Sequence, residues 1–78
     1  MPELTLYLTA WCPFCVKVKN YLKRRGIEVA EKDTSADPQA RQELISLTGR
    51  TQVPCLVIDG SPMLESNDII QWFEDNFE

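Results

Sequence analysis

The chain has 78 residues, 44% of them hydrophobic and 26% charged, and its formal net charge at pH 7 is −4. These values predict one globular domain over residues 1–78 with a small core, and the acidic balance argues against nucleic-acid binding, which depends on neutralising phosphates. No apolar run approaches the roughly 20 residues that cross a bilayer, and the N-terminus lacks the basic segment of a secretory signal, so we expect a cytoplasmic protein without membrane contacts.

The first elements are predicted to be a buried strand and an amphipathic helix. Leu4 to Leu8 reads LTLYL, a β-rich run that is apolar on both faces, as in a parallel sheet. The helix is predicted to begin at Pro13, whose missing N–H suits the first turn, and to end at Gly26. Its apolar residues are Phe14, Val18, Tyr21 and Leu22, and its basic residues, Lys17, Lys19, Lys23, Arg24 and Arg25, are read as a solvated face.

A second strand and a second helix follow. Residues 27–32, IEVAEK, alternate as a strand does. Asp37 is a suitable N-cap for a helix with Pro38 in its first turn, and Gly49 is expected to end that helix. The predicted buried stripe consists of Ala40, Leu44, Leu47 and Ile45. Strand, helix, strand and helix in succession predict a right-handed βαβ unit.

The last third of the chain changes to a hairpin and a final helix. Residues 53–58, VPCLVI, predict a strand, and Asp59-Gly60 is a favoured type I′ turn. Residues 62–64 are the expected return strand, at a sheet edge because it contains proline. Ser66 is the predicted N-cap of a helix whose apolar face is formed by Ile69, Trp72, Phe73 and Phe77. The order β-α-β-α-β-β-α predicts an α/β fold with a four-stranded mixed sheet.

The chain has three cysteines and no histidine, too few ligands for a structural zinc site. Cys12 and Cys15 form the sequence CPFC between the first strand and the first helix. Free N–H groups and the helix dipole favour a thiolate on Cys12, and Cys15 lies one turn further on. We therefore expect Cys12 to attack disulfides and Cys15 to resolve the mixed disulfide. The alternative is that both cysteines are small core residues.

The segment W-C-P-F-C, followed by T-Q-V-P before the third strand, resembles the glutaredoxin family of the thioredoxin-fold superfamily. The resemblance covers essentially the whole chain. It implies a thioredoxin-like fold, a cis Val53-Pro54 bond that packs beside Cys12, and glutathione as co-substrate. The cysteine backbone of glutathione is expected to pair with Val53.

The resemblance also implies a site for the γ-glutamyl group of glutathione. That site is the segment L-E-S-N-D, where Ser66 and Asn67 offer N–H groups at the start of the last helix. The segment also resembles the N-terminal domains of glutathione transferases, in which the counterparts of Glu65 and Ser66 contact the γ-glutamyl group.

Three features depart from the common glutaredoxin pattern. The residues before Cys12 read T-A-W and lack the usual lysine, so either Arg41 or Arg50 substitutes for it in binding the glycyl carboxylate, or the affinity for glutathione is lower. Trp11 is similar to the tryptophan of thioredoxins. The third departure is the segment P-M-L-E-S-N-D-I, which replaces the common Gly-Gly-Cys-Asp-Asp type of loop.

Cys55, directly after Pro54, is interpreted as a small core side chain, with a third reactive thiol near the active pair as the alternative.

The expected function is that of a glutathione-linked thiol–disulfide oxidoreductase that acts as a monomer on protein disulfides or glutathionylated proteins, without a metal. Two alternatives stay open. One is a glutathione-ligated iron–sulfur carrier, disfavoured by proline within the motif and cysteine at its end. The other is an electron donor supplied by a thioredoxin-reductase-type enzyme.

Overall fold

A computed structural model describes residues 3–77 as a four-stranded sheet with three helices. In chain order the elements are β1 (Leu4–Leu8), α1 (Pro13–Arg25), β2 (Ala30–Asp33), α2 (Pro38–Thr48), β3 (Cys55–Ile58), β4 (Ser61–Met63) and α3 (Ser66–Asn76). The predicted element order and the mixed α/β sheet are therefore confirmed. The strand order is β2-β1-β3-β4, with β1 parallel to β2 and antiparallel to β3. Among the residues described, no helix is long and apolar enough to cross a membrane.

The two central strands direct alternate side chains to opposite faces of the sheet. Leu6 of β1 pairs with Leu56 of β3, and both pack on the face covered by α1 and α3. The next pair, Tyr7 and Cys55, packs on the face covered by α2. The sheet therefore lies between α1 and α3 on one side and α2 on the other.

Local capping signals position the first two helices as predicted. Pro13 and Pro38 occupy the first turns of α1 and α2, and the Asp37 side chain accepts a hydrogen bond from the Gln39 N–H at 3.0 Å. Gly26 follows α1 with φ of 68°, a left-handed conformation that glycine adopts without steric penalty. These signals fix where α1 begins, and therefore where the CPFC segment lies.

The second strand begins later than its sequence pattern predicts, at Ala30 rather than Ile27. The end of α1 explains the difference, because the Ile27 N–H donates to the Leu22 carbonyl at 2.9 Å and continues the helix cap. Ile27 and Val29 then pack against the core from the connecting segment.

The hairpin agrees with its turn signal but differs at the strand ends. β3 begins at Cys55 rather than Val53, because Pro54 has no N–H to donate to a ladder. Asp59 and Gly60 have φ of 49° and 86°, and positive values at both positions are what a type I′ turn requires. The return strand lies one residue earlier than predicted and forms the sheet edge, as its proline indicates.

Some residues of the predicted buried stripes are exposed. Phe14, Ile45 and Leu47 have exposed fractions of 61%, 41% and 40%. On α1 the buried position falls on Cys15 instead of Phe14, and on α2 only Ala40 and Leu44 are buried. An apolar residue at helical spacing is therefore not always directed at the core, because the sheet covers only a narrow strip of each helix.

Arg25 at the end of α1 holds the end of α3. Its guanidinium donates to the Glu74 carboxylate and to the Phe77 carbonyl, each at 2.8 Å, and to the Tyr21 hydroxyl at 3.0 Å. One side chain thus joins the C-terminal ends of the two helices that cover the same face of the sheet.

We predict that Arg25→Ala lowers the free energy of unfolding by about 1 kcal/mol, because three charge-assisted contacts are lost at a partly exposed site. Chemical denaturation of the variant against wild type measures this loss. Arg24→Ala is the matched control and is expected to be near neutral. Equal losses in the two variants would contradict the assigned role of Arg25.

Candidate active site

Cys12 is the N-cap of α1. Its backbone is extended, with φ of −91° and ψ of 117°, and its Sγ accepts a hydrogen bond from the Cys15 N–H at 3.3 Å. The first N–H groups of a helix have no intrahelical acceptor and carry a partial positive charge. The Cys12 sulfur therefore lies at the positive end of the α1 dipole, and the residue is half-buried, so a disulfide can reach it.

Cys15 lies one turn further along and is fully buried. Burial raises the pKa of the Cys15 thiol to about 12, against opposing hydrogen bonds from the Thr9 backbone and side chain. At neutral pH Cys15 is consequently a neutral thiol. The two cysteines of CPFC thus lie close together in different environments, as the sequence predicts.

The segment before β3 completes the surroundings of Cys12. The Val53-Pro54 peptide bond is cis, as the family resemblance implies. The Cys12 thiol lies 3.7 Å from the Val53 carbonyl oxygen, a distance at which it can donate a weak hydrogen bond. Residues 41 positions apart in sequence are therefore adjacent at the end of the sheet.

A cavity of about 520 Å³ lies beside this junction. Its lining residues are Phe14, Gln52, Val53, Pro54, Leu64, Glu65, Ser66, Asn67 and Asp68. Five of the residues predicted to contact glutathione belong to this lining: Val53, Pro54, Glu65, Ser66 and Asn67. A cavity of this size matches the range of small-molecule sites.

The N-terminus of α3, which lines the cavity, differs in one detail from the sequence prediction. Glu65, not Ser66, is the N-cap, and its side chain makes no capping hydrogen bond. Ser66 is instead the first residue of the helix and is buried. The first N–H groups of α3 therefore keep their capacity to bind an anion in the cavity.

The two arginines considered for the glycyl carboxylate lie elsewhere. Arg41 is exposed on α2 and Arg50 follows that helix, and neither belongs to the described lining of the cavity. Leu64 and Asp68, the two ends of the predicted L-E-S-N-D segment, also line the cavity. Sequence reasoning missed Gln52 and also Phe14, whose spacing points to the core. Their proximity in sequence to Val53 and Cys15 is the signal that could have found them.

Cys55 lies in the core beneath α2. It is fully buried with Tyr7, Ala40, Leu44 and Val57, and burial raises its pKa above the usual thiol range. This placement favours the core interpretation over a third reactive thiol. Within residues 3–77, no three His, Cys, Asp or Glu side chains are grouped in a way that could hold a metal ion.

The sequence is similar to that of known glutaredoxins. The family model named Glutaredoxin matches residues 4–63. A glutaredoxin of Pseudomonas aeruginosa is 41% identical over 54 residues, which cover 69% of this chain and 64% of the relative. The match thus spans slightly less than two thirds of that protein.

Solved structures agree with the fold described above. A mutant form of the thioredoxin-like protein BC3987 superposes with a TM-score of 0.82 at 30% identity, with full coverage of both chains. A buckwheat glutaredoxin–glutathione complex superposes with a TM-score of 0.73 at 18% identity, over 96% of this chain and 71% of the buckwheat chain. The fold is therefore thioredoxin-like. Together with the family match over most of the sequence, these findings show that the chain belongs to the glutaredoxin family.

Proposed function

We propose that this protein is a glutathione-linked thiol–disulfide oxidoreductase in which Cys12 is the nucleophile and Cys15 the resolving thiol. The observation that carries the proposal is the position of Cys12: it caps α1, its sulfur is held by the Cys15 N–H, and it adjoins a ligand-sized cavity through Val53. Family membership supports the same chemistry.

The first step is disulfide exchange at the Cys12 sulfur. The Cys12 thiolate attacks the glutathione sulfur of a mixed disulfide. A new bond forms between Cys12 and glutathione, the original S–S bond breaks, and the target protein leaves as a thiolate that takes up a proton from water. A second glutathione then attacks the bound glutathione sulfur, which releases oxidised glutathione and restores the Cys12 thiolate.

Protein disulfides require Cys15 as well. After Cys12 has formed a mixed disulfide with the target, the Cys15 sulfur attacks the Cys12 sulfur and the second target thiol leaves with the proton that Cys15 gives up. The resulting Cys12–Cys15 disulfide is reduced by two glutathione molecules, which leave as oxidised glutathione. Because Cys15 is buried as a neutral thiol, its attack on the Cys12 sulfur is expected to be slower than the attack of Cys12 on the substrate.

Glutathione binding is proposed in the cavity next to Cys12. Val53 lines this cavity, and the N-terminus of α3 at Ser66 and Asn67 suits the carboxylate of the γ-glutamyl group. The Glu65 carboxylate is proposed to accept a hydrogen bond from the ammonium of the γ-glutamyl group. The buckwheat structure of the same fold is a complex with glutathione, which supports glutathione as the ligand.

The partners that this proposal assigns are glutathione and proteins that carry disulfides or bound glutathione, in the cytoplasm. Trp11 and Phe14, which flank Cys12 and Pro13, are 86% and 61% exposed. They offer apolar contact area to a protein substrate, while the cavity accepts the smaller thiol. We propose that the protein acts on these substrates as a monomer.

Cys12→Ser is expected to reduce turnover of a glutathione mixed disulfide to the uncatalysed rate, because the attacking sulfur is lost. Cys15→Ser is expected to keep turnover of that substrate within several-fold of wild type and to lose activity on a protein disulfide. The measurement is NADPH consumption coupled through glutathione reductase. Cys55→Ala is the matched control and is expected to keep both activities. Residual catalysis in Cys12→Ser would refute the proposal.

Formation of the Cys12–Cys15 disulfide is expected to become faster as the pH rises. Starting from the protein with glutathione bound to Cys12, the rate of Cys12–Cys15 disulfide formation should keep rising from neutral pH well beyond about pH 9. The reason is that the raised pKa of Cys15, about 12, leaves little thiolate in the ordinary range. Rapid acid quench followed by mass spectrometry measures the rate. A plateau near the ordinary thiol pKa of about 8.5 would contradict this expectation.

A further inference from the structure

A lysine on α1 contacts the proposed glutathione site from outside the cavity. The Lys17 ammonium donates to the Asn67 side-chain oxygen at 2.7 Å, across 50 residues of sequence. We propose that Lys17 is a positioning residue that orients Asn67 and supplies positive charge to the carboxylate of an α-amino-acid head group bound at α3. This inference rests on the proposed function and deepens it, because it assigns a determinant of substrate selectivity.

The contact fixes which end of the Asn67 amide faces a ligand. An ammonium group only donates hydrogen bonds, so the amide must turn its oxygen toward Lys17. The NH₂ end of Asn67 is then left as the donor for other partners. Since Asn67 lines the cavity, a carboxylate at the N-terminus of α3 can accept from this NH₂ as well as from the backbone N–H groups.

The charges around the cavity give Lys17 its second role. Of the residues described as lining the cavity, the two charged ones are Glu65 and Asp68, and both are acidic. They suit the ammonium of an α-amino-acid head group but repel its carboxylate. Lys17, in direct contact with a lining residue, offsets that repulsion on the carboxylate side.

We therefore expect the protein to discriminate between disulfides that react with Cys12 in the same way but differ in whether they carry an α-carboxylate. A γ-glutamyl disulfide such as oxidised glutathione carries the α-carboxylate that Lys17 favours. A neutral disulfide such as bis(2-hydroxyethyl) disulfide does not, although Cys12 attacks both in the same way. In each case Cys12 forms a bond to one sulfur of the reagent and the other sulfur leaves as a thiolate.

The test compares the second-order rate constants for oxidation of the fully reduced protein by these two reagents. Lys17→Met is expected to slow the reaction with oxidised glutathione about two- to five-fold at low salt, the size of one solvent-exposed charge contact, and less at high salt. The reaction with the neutral disulfide should be unchanged. Lys17→Arg should recover most of the lost rate. Lys19→Met is the matched control, since Lys19 is exposed on the same helix and its partner is Glu31, at 3.9 Å.

A double-mutant cycle then tests the coupling to Asn67. Asn67→Ala should slow the reaction with oxidised glutathione less in the Lys17→Met background than in wild type. Equal slowing of both reagents by Lys17→Met, or no change in either, would overturn the inference while leaving the proposed function intact. A wild-type protein that reacts no faster with oxidised glutathione than with the neutral disulfide would overturn glutathione as the preferred ligand, and this inference with it.

Discussion

The candidate site depends on one constraint: Cys12 lies both at the N-terminus of α1 and beside the Val53 carbonyl. The pairing of β1 with β3 places Cys12 there. Tyr7, near the end of β1, pairs with Cys55 at the start of β3. The segment that follows β1 and the segment that precedes β3 must therefore meet at one end of the sheet. Because Pro13 begins α1 directly after Cys12, the meeting point is also a helix N-terminus.

This arrangement separates the tasks of two cysteines that are only three residues apart. The N-cap position exposes the Cys12 sulfur to solvent and to backbone N–H donors. One turn of helix carries Cys15 into the core with Val18 and Leu22. The same chemical group is thus accessible at position 12 and buried as a neutral thiol at position 15.

Capping, turn and cysteine signals made most of the fold, and the proximity of Cys12 to Cys15, predictable from sequence. Pro13, Gly26 and Asp37 act within one helical turn, so local reasoning locates them correctly. The errors concern tertiary geometry. Ile27 reads as a strand residue but is held by the cap of α1, and Phe14 has helical spacing but faces solvent. The contact of Lys17 with Asn67 joins two helices and has no local signal at all.

The proposed mechanism requires Cys12 to be the accessible nucleophile among the three cysteines. Brief alkylation of the reduced, folded protein with iodoacetamide at neutral pH, followed by digestion and mass spectrometry, measures which cysteine reacts. We expect Cys12 to be modified while Cys15 and Cys55, both fully buried with raised pKa values, remain free. Modification of Cys15 or Cys55 as fast as that of Cys12 would contradict it.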